Sequence, residues 1–242
     1  MKEGIGFLVE KTGKLGGTLN FTDTDADKVD LRNFKNMLIR EVEKDPAVRV
    51  LLNTAADRQL IADLDPDAVV ISVGAEAVVP SLAGIETAVQ ALDVYSQIDQ
   101  IGQNVVLIGG GLVGCETGLY LAHHGRNVTV VEMNNMMAFE TFGYYRNALL
   151  DEMDKRKITQ YLGTKCLEIK PDGIVAEVAG KETFIPADTV VYSMGMKAKT
   201  ALTEELKKAS GDRDVYVIGD CAQAGKVGDA VRGGYMAALQ IV

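Results

Sequence analysis

The sequence predicts an α/β protein built of two interleaved Rossmann-like dinucleotide-binding domains, the first incomplete. Three observations predict it. Val105-Val106-Leu107-Ile108 runs into Gly109-Gly110-Gly111-Leu112-Val113-Gly114, an apolar strand opening onto a glycine turn and a helix. Segments of strand character alternate with segments at helical spacing along the chain. The chain also states one design twice. Strands end in glycine at Gly74 and Gly195, and in an acid at Val9-Glu10 and Val131-Glu132. The economical division inserts one unit in the other: residues 1–101 with 200–242, and residues 102–199.

The elements follow in order. Residues 6–9 read as a short strand closing on Glu10. Leu31, Phe34, Met37, Leu38 and Val42 recur at helical spacing and predict a helix over 31–42. Residues 48–52 and 68–73 are strands, the second ending at Gly74. Pro80, Gly84 and residues 98–102 belong to a connector. After the strand at 105–108 comes a helix over 115–124, with Gly125 at its C-cap position, and then a strand at 128–131. Residues 141–153 suggest a helix, followed by short β segments at 158–161, 166–169, 174–178 and 183–185. Residues 189–192 are a further strand, as are 215–218, which lead into Gly219-Asp220. A closing helix covers 230–241, with Met236, Ala237, Leu239 and Ile241 reading as inward-facing.

Composition narrows the function classes. The chain has 242 residues, 47% of them hydrophobic and 24% charged, as in globular proteins. A net charge of −9 argues against a nucleic-acid or anionic-membrane surface. No apolar run approaches the roughly 20 residues of a membrane span. The N-terminus has no signal-peptide core, so a cytoplasmic location is expected. Cys115, Cys166 and Cys221 lie far apart with no CxxC, which removes a dithiol of that kind and a CxxC metal site. His123 and His124 fall in the last turn of a helix, where the dipole favours them.

Each part of the glycine segment has a mechanical task. Gly109 permits the turn, Gly111 lets the backbone approach a pyrophosphate, and Gly114 lets the helix pack on the strand. The helix N-terminus offers N–H groups and partial positive charge to phosphates. Glu132 falls 18 residues after Gly114, at the end of the second strand, where a carboxylate accepts from a ribose diol and repels a 2′-phosphate. Met133, Asn134 and Asn135 follow with no arginine, so NADH is favoured over NADPH. A solvated acid at a strand end is the alternative.

Further motifs carry a resemblance. Glu10-Lys11 with Leu15-Gly16-Gly17, the segment from Asp67 to Gly74 with Pro80 and Gly84, the run Val215 to Cys221, and Asp229 to Tyr235 stand in one order. Together they resemble the C-terminal module of the NADH:flavin oxidoreductases related to 2-enoate reductase and 2,4-dienoyl-CoA reductase. Ser72-Val73 replaces that family's usual Ala-Thr. The resemblance implies an FAD domain and an NAD(H) domain, with hydride passing from nicotinamide to flavin and onward to an activated C=C bond. It implies cofactor contacts at Glu10, Lys11, Gly17, Gly74, Gly195, Gly219 and Asp220, beside the turn residues Gly109, Gly110, Gly111, Leu112, Val113 and Gly114. Glu116 resembles a position near the nicotinamide, although the helix dipole alone favours an acid there. Asp220 resembles a ligand of the flavin's ribityl–pyrophosphate region, with helix capping as the competing role. Hydride transfer needs orientation more than acid or base, so no catalytic residue and no metal ligand is named.

Relatives begin this module with a strand, a first glycine turn and a helix that cradle the FAD pyrophosphate. Residues 1–4 stand where that helix would be ending. The FMN-bearing barrel, the iron–sulfur cysteines and the first FAD turn are therefore expected from a missing N-terminal part or a complementary subunit. FAD is expected to be weak or absent in this chain alone. The gap in the sheet is expected either to close by rearrangement or to be filled by pairing with a second copy, a homo-oligomer.

Overall fold

The computed structural model describes residues 4–241. Met1–Glu3, part of the expected helix end, lie outside the described residues. The fold is α/β. The chain forms two units, one of Met1–Glu76 with Met196–Val242 and one of Ala77–Gly195.

The first unit opens with β1 (Gly6–Val9), α1 (Val29–Lys44), β2 (Val48–Leu51), α2 (Arg58–Leu64), β3 (Ala68–Ile71) and β4 (Ala75–Ala77). The second follows with β5 (Val89–Gln90), α3 (Val94–Gln97), β6 (Asn104–Ile108), α4 (Leu112–His123), β7 (Asn127–Val131), α5 (Gly143–Lys155) and β8 (Thr159–Tyr161). It is completed by β9 (Lys165–Lys170), β10 (Gly173–Val178), β11 (Lys181–Pro186) and β12 (Thr189–Tyr192). The chain then returns through β13 (Met196–Ala198), α6 (Thr200–Ser210), β14 (Asp214–Val217) and α7 (Val227–Ala238).

Five strands of the second unit form a parallel sheet in the order β5-β12-β6-β7-β8. Val105, Val106, Leu107 and Ile108 are all buried, because a parallel strand is covered on both faces. Strands β9, β10 and β11 make an antiparallel meander. Its Ile169, Ile174 and Ile185 share a core with Val106, Val131 and Tyr192. Helix α4 buries Cys115, Leu119 and Leu121.

The observed partition differs from the sequence boundaries at 101/102 and 199/200. Residues 77–101 belong with the second unit because β5 pairs with β12 and Ala91 and Val94 are fully buried there. Tyr95 stacks on Tyr120 with ring centroids 4.4 Å apart. Residues 196–199 return to the first unit, where β13 pairs with β4 and Lys197 reaches Glu76 at 3.2 Å.

The first unit holds two separate parallel pairs, β1 with β2 and β14 with β3. Ile61, Ile71, Leu206 and Cys221 form its core. One side-chain expectation changes here, in the closing segment, and α1 shows a face that its spacing leaves open. On α1 the fully enclosed residue is Lys35, whereas Met37 and Leu38 are exposed. The helix turns the face with Lys35 toward Asn20 and Asp23, which supply its polar partners. In the closing segment, Ala237 alone of the four inward-facing residues is buried; Met236, Leu239 and Ile241 are 50%, 62% and 44% exposed.

Candidate functional site

The site in the second unit starts where β6 ends. Gly109 turns with φ +103°, and any Cβ there would run into the Ser193 carbonyl oxygen. That conformation and that close approach both require glycine. A Cβ on Gly114 would strike the Gly109 carbonyl oxygen and press on Leu107 at 3.1 Å, so Gly114 sets the depth at which α4 seats on the strand. Gly111 differs: nothing lies within 4 Å of its missing Cβ. No side chain caps the N-terminus of α4, where Gly111 stands as the N-cap residue. Leu112 is half-buried and Val113 exposed beside it. An open glycine face beside an uncapped helix start is a cradle for an anionic group approaching along the backbone.

Glu132 sits under this turn, and only 6% of it is exposed. Its Oε2 accepts the Gly110 N–H at 2.6 Å, and its Oε1 accepts both the Asn134 N–H and the Asn134 side-chain amide at 2.7 Å. The carboxylate is thus neither solvated nor free. It ties the glycine turn to the loop after β7. Two oxygens offer about four acceptor directions, and three donors occupy them unevenly, with Oε1 filled and Oε2 still able to accept.

The underside of the turn is closed by residues that carry no motif. The Gly110 carbonyl accepts the Ala138 N–H at 2.7 Å and the Cys115 thiol at 3.3 Å. Met137 and Ala138 are fully buried, and a Cβ on Gly110 would collide with the Met137 sulfur. Burial pushes the Cys115 thiol up to about 12, so at neutral pH it is a hydrogen-bonded thiol and no nucleophile. Glu116, half-buried in the first turn of α4, accepts the Tyr145 O–H at 2.6 Å. Met137, Ala138 and Tyr145 stand in a stretch of apolar and aromatic residues whose contact with the turn no sequence spacing announces. Gly195 follows β12 with φ +87°, and its carbonyl accepts the Val78 N–H at 3.0 Å.

The corresponding residues of the first unit are also laid out on loops. Glu10 is half-buried after β1, its Oε1 accepting the Thr12 N–H at 2.7 Å. Lys11 is exposed. Gly17 and Gly74 turn with φ +51° and +78°, and open space lies beside both. Gly219 has φ +63°, and Asp220 accepts the Gly225 N–H at 3.1 Å. The N-cap of α7 is Lys226, whose N–H donates at 3.0 Å to the Asp229 carboxylate in the first turn of the helix, so Asp220 is not the residue that caps this helix. Glu10, Gly17 and Asp220 therefore fit a ribose and a ribityl–phosphate chain in kind, carboxylates for hydroxyls and an open glycine for close approach. A cavity of about 390 Å³ in the first unit is lined by Lys14, Asn20, Asp23, Lys35 and Glu43, and none of Glu10, Gly17 and Asp220 lines it. The ammonium of buried Lys35 bonds Asp23 and holds that carboxyl below its ordinary value.

A parallel sheet, a glycine turn at its C-terminal edge and an acid on the next strand define a dinucleotide-binding protein. Residues 32–238 match the pyridine nucleotide-disulphide oxidoreductase family, and the chain belongs to it. That family takes FAD and NAD(H), the two cofactors the two units fit. The chain is 37% identical over 244 residues to an NADH oxidase of Thermoanaerobacter brockii, covering 97% of this chain and 37% of the relative. It is 33% identical to a bilirubin reductase of Mediterraneibacter gnavus, covering 96% and 36%, and 30% identical to a cinnamate reductase of Clostridium sporogenes, covering 83% and 30%. Among solved structures, a 2-naphthoyl-CoA reductase superposes with a TM-score of 0.88 at 28% identity, covering 95% of this chain and 35% of that one. The thioredoxin reductase of T. acidophilum shares the fold, with a TM-score of 0.71 at 18% identity, covering 98% and 90%. The chain spans between 30% and 37% of the length of these three curated relatives. Among the described residues no helix is long and apolar enough to cross a membrane.

Proposed function

We propose that this chain is the electron-input part of an NADH-dependent flavoprotein reductase whose parent reaction is reduction of an activated C=C bond. One observation carries the reading: an uncapped helix start and an open glycine turn, pinned from below by Glu132. When both are bound, the nicotinamide supplies a hydride and the flavin accepts it. The protein's own work is positional. The amides from Gly111 to Gly114 receive the NAD(H) pyrophosphate over the Gly110 turn that Glu132 pins, Glu132 its adenosine ribose, and Glu116 with Gly195 stand toward the nicotinamide end. Glu10, Lys11, Gly17, Gly74, Gly219 and Asp220 receive the ribose and ribityl regions of FAD.

The names of two relatives support the final reaction, since cinnamate and a 2-naphthoyl thioester are both conjugated acyl compounds. An FMN-bearing barrel and an iron–sulfur segment, in a larger chain or in a partner subunit, complete the path in this proposal, and the location is the cytoplasm. The two unjoined strand pairs of the first unit favour a second reading, a nucleotide-binding chain without turnover of its own.

Two measurements on the purified chain test this. Titration calorimetry with NADH and NADPH is expected to show tighter NADH binding; equal or reversed affinities defeat the site assignment. Visible absorbance after dialysis is expected to show FAD well below one per chain, because among the described residues of the first unit no helix start follows a strand through a glycine turn like that at Gly109–Gly114. Full flavin occupancy would contradict that part.

A further inference from the structure

We infer that Asn134 is the positioning residue that fixes Glu132 for nucleotide discrimination, an inference that rests on the glycine turn receiving NAD(H). Oε1 of Glu132 takes two bonds, both from Asn134, one from its N–H and one from its side-chain amide, each 2.7 Å. Oε2 takes one, from Gly110 at 2.6 Å. Asn134 thereby saturates one oxygen and turns the other, with its remaining acceptor direction, to the turn. The amide is oriented by chemistry: its NH₂ must face the carboxylate, because its oxygen there would meet a second acceptor.

The backbone of the loop does not depend on that side chain. The Asn134 carbonyl accepts the Gly163 N–H at 3.0 Å, Glu132 donates its own N–H to Tyr161 at 2.8 Å, and its carbonyl accepts the Thr164 N–H at 2.9 Å. Three backbone bonds to the end of β8 and the loop after it therefore hold residues 132–134 in place. The amide adds one thing, the torsional setting of the Glu132 carboxylate. Its neutrality has a second effect. Asn134 brings a donor without positive charge, so a 2′-phosphate would meet the Glu132 charge uncompensated. The nearby Arg146 commits its Nε to the Met137 carbonyl at 2.7 Å.

The test compares the full chain with Asn134→Ala and Asn134→Ser by calorimetry against NADH and NADPH, with thermal unfolding in parallel. Asn134→Ala is expected to lower the NADH-over-NADPH preference about fivefold or more, the scale of a lost charge-assisted hydrogen bond, with the unfolding midpoint nearly unchanged. Asn134→Ser, which keeps a donor, is expected to retain part of the preference. A preference unchanged in Asn134→Ala while NADH still binds overturns the inference. Proportional loss of both affinities with a lowered midpoint assigns Asn134 a structural role only and overturns it too. A native chain that binds no NADH defeats the site assignment itself. Exchange of the Gly110 amide without nucleotide separates that failure from the clamp: it should quicken in Asn134→Ala, and an unchanged rate shows that Asn134 does not hold the carboxylate.

Discussion

Glu132 has two tasks in one carboxylate, and its substitutions separate them. Alanine removes the acceptor for the ribose, and it also strands the buried Gly110 N–H that now ends on Oε2. Leaving a buried donor unpaired costs about 1–3 kcal/mol. Glu132→Ala is therefore expected to narrow the NADH preference and also to lower the unfolding free energy by that order, read by calorimetry and by urea denaturation. A variant that loses preference at unchanged stability would show that Gly110 finds another partner. Gly114 allows a sharper substitution. A methyl group there has the Gly109 carbonyl oxygen in its way, which is backbone and cannot yield as a side chain can. Gly114→Ala is expected to lose about 1–3 kcal/mol by overpacking, while Gly111→Ala, which faces open space, should fold normally and lose nucleotide affinity.

At the scale of elements, the pairing of Lys35 with Asp23 gives α1 its pH dependence. The Lys35 ammonium holds the Asp23 carboxyl below its ordinary value of 3.8. A carboxyl depressed by folding contributes stability that is complete above that value and drains away as pH falls through the lowered one. Acid unfolding of the first unit is thus expected to shift to higher pH in Asp23→Asn, by circular dichroism. Lys35→Met should be milder, because Asp23 is 40% exposed and returns to water, whereas Asp23→Asn leaves a buried cation with Asn20 at 3.4 Å. The same helix marks the limit of what the sequence tells. β6, α4 and β7 are legible within a few residues, since a fully apolar strand, a glycine turn and an acid-ended strand each signal themselves. In α1 the spacing locates the helix but not its face, because the partners that enclose Lys35 lie at Asn20 and Asp23, outside the pattern. α2 and α6 are absent from the sequence reading. α2 is seven residues long and is held by its Asp57 cap to the Leu60 N–H at 2.8 Å, while α6 follows a glycine-ended strand pattern that draws attention away from it. Within the site, Glu132 is legible by position, but the direction of its carboxylate depends on Asn134 and Gly110 together, which no spacing rule encodes.

At the scale of the whole molecule, the two units differ in how completely their sheets are built. The second holds five parallel strands with buried residues on both faces. The first holds two parallel pairs and the short β13–β4 pair, and a two-stranded sheet is marginal in water by itself. β1 carries Phe7 and Leu8 at 38% exposure, and α7 leaves Tyr235, Met236 and Leu239 at 65%, 50% and 62%. Apolar side chains along strands with unpaired edges favour association with another strand, whether from a second copy or from a complementary chain. Opposing this is the net charge of −9, which repels like copies over roughly 8–10 Å at moderate salt. Light scattering across concentration is therefore expected to show self-association that strengthens as salt rises, since screening removes the repulsion and leaves the apolar attraction. Hydrogen exchange should place the weakest protection in β1, β2 and α7 and the strongest in β6 and α4. A monomer at every salt and concentration, with β1 protected as well as β6, would show that these strand pairs suffice and that the exposed apolar faces need no cover.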